Sequence, residues 1–292
     1  MINSLNDVFE KQSIRKNPEV INYKNFFNEN GYCVIEKSNL PVEKLSDIVD
    51  FLIEKEGWRG GWEGKEEYIK YQKNFQPGAY RLGNLFNKDE LFLEIITNEE
   101  ILSVLESILG DDIKIGALDM REPKKGTGQQ DLHIDWIPKK ELDVSENIVV
   151  MIFLDDSDEN NGHLRVVPKT HKIKGWIEEN TNDKTKHKDE IFLDVKKSSI
   201  VFMDANLWHS GTTNKTGKRR RVLFLDVRRR DIPQLLNQRI YLDETVQRKL
   251  TEVQKYLLGL GNNDLVFEER VFTAGNVYRK EFKTDGFVKM DD

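Results

Sequence analysis

Cysteine is nearly absent from this chain of 292 residues: Cys33 is the one thiol. That excludes an internal disulfide and a cysteine-built zinc site. Histidine is scarce, with five residues, and proline numbers seven. No Pro- or Ser-rich linker marks a domain boundary, and there is no repeat or low-complexity segment. No run approaches the roughly 18 apolar residues of a membrane span, so no membrane association is expected. The start, "MINSLNDVFEKQSIRKN", lacks a basic tip followed by an apolar core, so a cytoplasmic protein without a secretory signal is expected. The net charge of −6 speaks against a nucleic-acid partner. The runs "KRRR" (218–221) and "RRR" (228–230) point the other way, and they read as solvated strand ends. The oligomeric state is open.

Apolar residues make up 38% of the chain and charged residues 33%, the balance of a soluble globular protein. A single domain over 1–292 is expected, in three parts. Residues 1–111 read as largely helical. "INYKNFFNENGYCVIEKS" is a short helix, a Gly turn and a strand. "LPVEKLSDIVDFLIEKEG" has apolar residues at helical spacing between Pro and Gly. Helices are also expected at 88–97 and 99–110. From 112 to 230 the pattern changes to eight short apolar runs: "IKIGALDM", "LHIDWI", "NIVVMIFLDD", "HLRVVP", "EIFLDV", "SSIVFMD", "LWHSG" and "RVLFLDV". Such spacing predicts a β-sandwich or barrel. Residues 231–292 return to helical spacing. A helix over 232–258 would either join two copies or pack on its own barrel.

The chemistry gathers at "LHIDWI". On a strand, His133 and Asp135 share one face, and Leu132, Ile134 and Trp136 the other. One imidazole and one carboxylate are two-thirds of a metal site, and His209 in "LWHSG" is the candidate third ligand. Two histidines and one carboxylate match the facial triad of non-haem Fe(II) oxygenases, which leaves coordination positions open. Against this stands the ordinary reading, in which a strand histidine is a hydrogen-bonded core residue. His163, His171 and His187 are given that reading. An oxygenase of this type that uses 2-oxoglutarate needs a buried cation for the distal carboxylate. Arg220, eleven residues after His209, shares a strand face with Val222 and Phe224, and its fork suits a carboxylate. The choice among Arg219, Arg220 and Arg221 stays open by one position.

Together "LHIDW", "LDDSDENNGHLRVVPKTHK" and "LWHSGTTNKTGKRRRVL", in that order, resemble the phytanoyl-CoA dioxygenase family. "FFNENGYCVIEKSNLPVEKLSDIVDFL" resembles the family's N-terminal end, so the likeness runs from about residue 25 to 228. The resemblance implies a mainly β fold with flanking helices, a double-stranded β-helix (a jelly-roll, cupin-like barrel). It also implies Fe(II), 2-oxoglutarate and O2 as cofactor and cosubstrates. His133, Asp135 and His209 become the iron ligands, and Arg220 the holder of 2-oxoglutarate. Gln130 and Trp136 are further candidates for the cosubstrate site. One departure is that Ser210 and Gly211 follow His209 directly, where family members often have a residue between. Related halogenating enzymes lack the carboxylate, so Asp135 favours hydroxylation.

The expected activity is hydroxylation of an unactivated C–H bond of a small polar metabolite, with release of succinate and CO2. The stretch 56–86 reads equally as an active-site cover or a surface excursion. As a cover it offers Trp58, Trp62, Tyr80 and Arg81 to the substrate. Three other readings compete. A non-catalytic barrel would bind a ligand without turnover. An oxygenase of macromolecules would dock through the basic runs. A zinc-bound cupin-like hydrolase or isomerase would need no Arg220.

Overall fold

In the computed structural model the described residues are 2–15, 18–56, 79–139, 144–232, 234 and 237–261, with the short strands 272–273 and 287–288. Nine strands form two antiparallel sheets. The larger has the order β1 (Tyr32–Ile35), β7 (Ile200–Asp204), β4 (Asn147–Phe153), β9 (Val222–Arg229), β3 (Ile113–Pro123), β2 (Ala79–Leu82). The smaller has the order β6 (Ile191–Leu193), β5 (Leu164–Val167), β8 (Trp208–Gly211). The arrangement is a jelly-roll of two sheets, and it is not closed into a barrel among the described residues.

Period-two alternation builds two cores from one sheet. On β4, Ile148, Val150 and Ile152 face the helices, and Val149, Met151 and Phe153 face the smaller sheet. This is why "NIVVMIF" is an unbroken apolar run, buried along its whole length. The helices Val20–Asn30, Val42–Glu56 and Glu99–Leu109 cover the outer side, as their spacing predicted. Gly31, at φ 84°, ends the first of these and turns the chain into β1. A side chain there would also strike the His171 ring.

A bulge between Ile115 and Ala117 shifts the register of β3 on β9. Before it, Ile113 and Ile115 face the helices; after it, Leu118 and Met120 do. The extra residue turns Asp119 and Arg121 to the inner face. Its geometry is held from the C-terminal part of the chain. The buried Gln238 amide donates to Gly116 O at 2.7 Å, and Gln234 donates to Ile115 O at 2.7 Å.

Three expectations change. "LHIDWI" is not a strand: it makes one isolated bridge, His133 with His209. The 232–258 segment is not one helix but short turns at Gln238–Tyr241, Glu244–Gln247 and Glu252–Leu257. The basic runs are solvated only in part: Lys218 and Arg219 are exposed, whereas Arg220, Arg221 and Arg228 are buried. Arg228 pairs with Asp226 at 2.8 Å, and Arg230 with Asp112 at 2.6 Å. No described helix is long and apolar enough to cross a membrane.

Candidate active site

His133 and His209 sit side by side because their backbones pair. His133 N donates to His209 O at 3.0 Å, and His209 N returns a bond to His133 O at 3.1 Å. The segment then bends. Asp135 N donates to Ala205 O at 2.8 Å, and the Asn206 side chain donates to Ile137 O at 2.9 Å. Leu132 and Ile134 pack outward against Trp208. Trp136 swings inward instead of following the strand alternation, and its ring lies 3.9 Å from the Arg228 guanidinium carbon. A buried ion pair closes this segment, with Lys139 Nζ 2.9 Å from Asp204 Oδ2. Ser145 Oγ donates to the same oxygen at 2.7 Å.

The three side chains converge. His209 Nε2 is 3.3 Å from Asp135 Oδ2, and His133 Nε2 is 3.6 Å from Asp135 Oδ1. Each imidazole Nδ1 meets a backbone carbonyl, Asp131 O at 2.8 Å for His133 and Leu207 O at 2.9 Å for His209. Those bonds place a proton on each Nδ1 and turn both Nε2 atoms toward the carboxylate, the orientation a metal ligand needs. A cation with bonds of about 2.1 Å spaces its ligand atoms by about 3 Å, close to what is present here. Among the described residues this is the one cluster of three such groups. The side chains of His133 and Asp135 remain 34% and 37% exposed, so the cluster is open on one side.

Charge is shared unequally across it. Burial and the nearby His209 push the His133 imidazole down to about 4, although Asp135 opposes this. Burial alone would raise the Asp135 carboxyl, but attraction and a hydrogen bond from His209, with attraction from His133, hold it at about 2. His209 is raised: burial lowers it, and Asp135 more than compensates. The proton drawn to this trio is the charge a divalent cation would replace.

The three consecutive arginines have different environments. Arg219 makes a two-nitrogen bond to Glu122 at 2.8 and 2.9 Å. Arg221 pairs with Asp155 at 2.7 Å and with Asp50 at 2.8 Å. Arg220 points the other way, to the inner face, and is buried with its Nε lacking a hydrogen-bond partner. Burial pulls its guanidinium down to about 10, against attraction by Glu122. A buried, unsatisfied guanidinium N–H is unfavourable by itself and is completed by a carboxylate. The 2-oxoglutarate dianion therefore fits this pocket.

Gln130 lies beside it, half-buried. Its Oε1 accepts from Arg121 Nη1 at 3.1 Å and from Gly211 N at 3.1 Å. Arg121 was missed in the sequence; its signal is the period-two pair in "LDMRE", which reads inward only once the bulge is counted. Of the substrate candidates, Arg81 is the cross-strand partner of Arg121 and shares its face. Tyr80 faces the opposite side, with Lys124 Nζ 4.2 Å above its ring. Trp58 and Trp62 lie outside the described residues. The remaining histidines stand apart from the cluster: His163 bonds Asp194 at 2.6 Å, His187 stacks edge-on with Trp208, and His171 is buried near Phe27.

The sequence model for phytanoyl-CoA dioxygenase matches residues 27–222. Two curated relatives are similar. Dioxygenase af480 of Aspergillus fumigatus is 24% identical over 192 residues, 64% of this chain and 60% of its own length. The ectoine dioxygenase of Stutzerimonas stutzeri is 27% identical over 179 residues, 52% of this chain and 59% of its own. The chain thus spans about three-fifths of the length of these relatives. Among solved structures, SnoK, a non-heme alpha-ketoglutarate-dependent carbocyclase from nogalamycin biosynthesis, superposes with a TM-score of 0.54 at 17% identity. It covers 72% of this chain and 83% of its own. HygX from Streptomyces hygroscopicus, with nickel, 2-oxoglutarate and hygromycin B bound, gives 0.55 at 13% identity, over 71% and 86%. At these identities the superpositions establish the shared fold.

Proposed function

Because the chain belongs to the phytanoyl-CoA dioxygenase family, we propose that it is an Fe(II)- and 2-oxoglutarate-dependent dioxygenase. It hydroxylates an unactivated C–H bond of a small polar metabolite and releases succinate and CO2. The observation that carries this reading is a pairing: an open two-histidine, one-carboxylate cluster beside a buried Arg220 whose Nε has no partner. The structural neighbours SnoK, which depends on alpha-ketoglutarate, and HygX, which has 2-oxoglutarate bound, support it.

Each residue then has a task. His133, Asp135 and His209 hold the metal, and the carbonyls of Asp131 and Leu207 keep both imidazoles in the ligating tautomer. Arg220 receives the distal carboxylate of 2-oxoglutarate and fixes its direction. When bound, iron and 2-oxoglutarate supply with O2 the oxidising power that the side chains lack. The apolar wall of Val166, Val222 and Met151 excludes water from one side. The exposed sides of His133 and Asp135 leave room for O2 and substrate.

Anaerobic titration of the Fe(II) protein with 2-oxoglutarate tests the assignment, read by the visible charge-transfer absorption of the chelate. Saturable absorption is expected in the wild type and not in His133→Ala. Wild-type protein that binds iron but never develops the band would remove 2-oxoglutarate from the reading.

A further inference from the structure

One buried arginine joins the segments that carry both histidine ligands. Arg165, on β5, is 3% exposed. Its cross-strand partner is Ser210, which follows His209 on β8. Leu164 and Val166 face the inner core, and Val167 faces outward with Trp208. Alternation therefore sends Arg165 and Ser210 to the outer face of the smaller sheet, behind His209.

Four acceptors share the guanidinium. Nε donates to Ser210 Oγ at 2.8 Å, and Nη2 to Gln130 O at 3.3 Å. Nη1 donates to Thr185 O at 2.6 Å and to Glu190 Oε2 at 3.2 Å. Gln130 O belongs to the peptide that leads into Asp131, whose own carbonyl receives His133 Nδ1. The loop 183–190 lies along the other edge of this segment. Leu132 N donates to Lys184 O at 2.8 Å, and the next amide, His133 N, donates to His209 O. His133 is thus held between β8 on one side and the loop on the other. Glu190 closes the loop, its Oε2 also accepting from His187 N at 2.8 Å.

If filling space were the only task, an apolar side chain would serve as well. A planar fork with fixed N–H directions instead sets the spacing of three backbones. We propose that Arg165, with Glu190, is a positioning residue for the metal site. It acts from behind the sheet, through loop 183–190 and the Gln130 carbonyl, to keep His133 in place and in its ligating tautomer. The inference rests on the functional reading above, and within that reading only on the metal ligands.

Two measurements on the full chain test it without 2-oxoglutarate or turnover. Co(II) affinity is read by competition with a chelator. Long-range 1H–15N NMR of the histidine rings in metal-free protein at neutral pH shows which nitrogen carries the proton, with the His133 signals assigned by their loss in His133→Ala. The wild type is expected to hold His133 as the Nδ1–H tautomer. Arg165→Gln is expected to mix the tautomers and to weaken Co(II) binding about tenfold. Glu190→Gln does the same to a smaller degree, and Arg165→Lys recovers part of the loss. Gln238→Leu, which destabilises from the larger sheet, is the control for stability and keeps the wild-type affinity and tautomer.

Unchanged tautomer and affinity in folded Arg165→Gln overturn the proposal. So does a loss in Arg165→Gln no greater than that in Gln238→Leu. If Arg165→Gln does not fold, Glu190→Gln decides: mixed tautomers support the proposal, and a wild-type ring with wild-type affinity overturns it. All of these outcomes leave the dioxygenase reading standing. A wild type that binds no Co(II), or binding that is undiminished in His133→Ala, overturns that reading and this proposal together.

Discussion

His133 and His209, distant in sequence, are joined by one isolated bridge in which each backbone N–H donates to the other's carbonyl, at 3.0 and 3.1 Å. The candidate metal centre is therefore set by a main-chain contact between a loop and β8, and side-chain packing secures it from either side.

The clamp on that loop predicts a positioning role for a buried ion pair. Lys139 and Asp204 are 2% and 1% exposed in their side chains, and they tie the end of the His133 segment to the turn before His209. Asp204→Ala strands the Lys139 charge and costs about 3 kcal/mol. It should also weaken metal binding about tenfold, measured by competition with a chelator. Reduced stability with unchanged metal affinity would make the pair purely structural.

The arginine run predicts three separable phenotypes. Arg220→Gln weakens 2-oxoglutarate binding about a hundredfold without a matching loss of stability. Arg221→Gln leaves the Asp155 carboxylate without its arginine, while Asp50 keeps Arg219, and costs about 3 kcal/mol. Arg219→Gln, although on a side chain 43% exposed, strips the buried Glu122 carboxylate of its two-nitrogen bond and costs about 2 kcal/mol, with 2-oxoglutarate affinity kept. Calorimetric titration and thermal melts on the three variants check the assignment. Loss of 2-oxoglutarate affinity in Arg219→Gln or Arg221→Gln, with Arg220→Gln unaffected, would reverse it.

The bulge predicts a remote effect. Gln238→Leu removes the donor to Gly116 O and leaves a buried carbonyl unsatisfied, costing about 2 kcal/mol. Amide exchange should quicken around residues 113–121 ahead of β4 and β7. Uniform protection in the variant would mean that the bulge holds itself.

Acid sensitivity should pass through His171. Burial pushes its imidazole from 6.5 down to about 4, so between these values the unfolded chain takes up a proton that the folded one refuses. Its stabilising contribution is complete above about pH 6.5 and is lost as the pH falls toward 4. Denaturant titrations at pH 7 and 4.5 should show the wild type losing on the order of 2 kcal/mol more than His171→Gln. Parallel losses would assign the acid response to other groups.

Much of this was legible in the sequence where local chemistry decides. The Gly31 turn, the helix at 42–56 and the strand "NIVVMIF" follow from periodicity and punctuation. The pair His133 and Asp135 was legible as a spacing, although the backbone there is a loop with one bridge. A single pair of hydrogen bonds to β8 imitates strand geometry for three residues, and Trp136 escapes it at the bend. Arg121 was hidden because a one-residue bulge reverses the face it occupies. The burial of Arg221 and Arg228 was hidden too, since their partners, Asp50, Asp155 and Trp136, come from elsewhere except for Asp226. Charge runs read as solvated until the fold supplies carboxylates and a ring to cover them.

The central claim is that His133, Asp135, His209 and Arg220 form one 2-oxoglutarate-dependent iron site. Its most direct test is succinate formation from 2-oxoglutarate by purified protein with Fe(II) and ascorbate, run beside His133→Ala and Arg220→Ala. Slow uncoupled turnover by the wild type, lost on omission of iron and in both variants, is the predicted result. Turnover that persists unchanged in either variant, or a wild type that makes no succinate and binds no 2-oxoglutarate, would contradict the account.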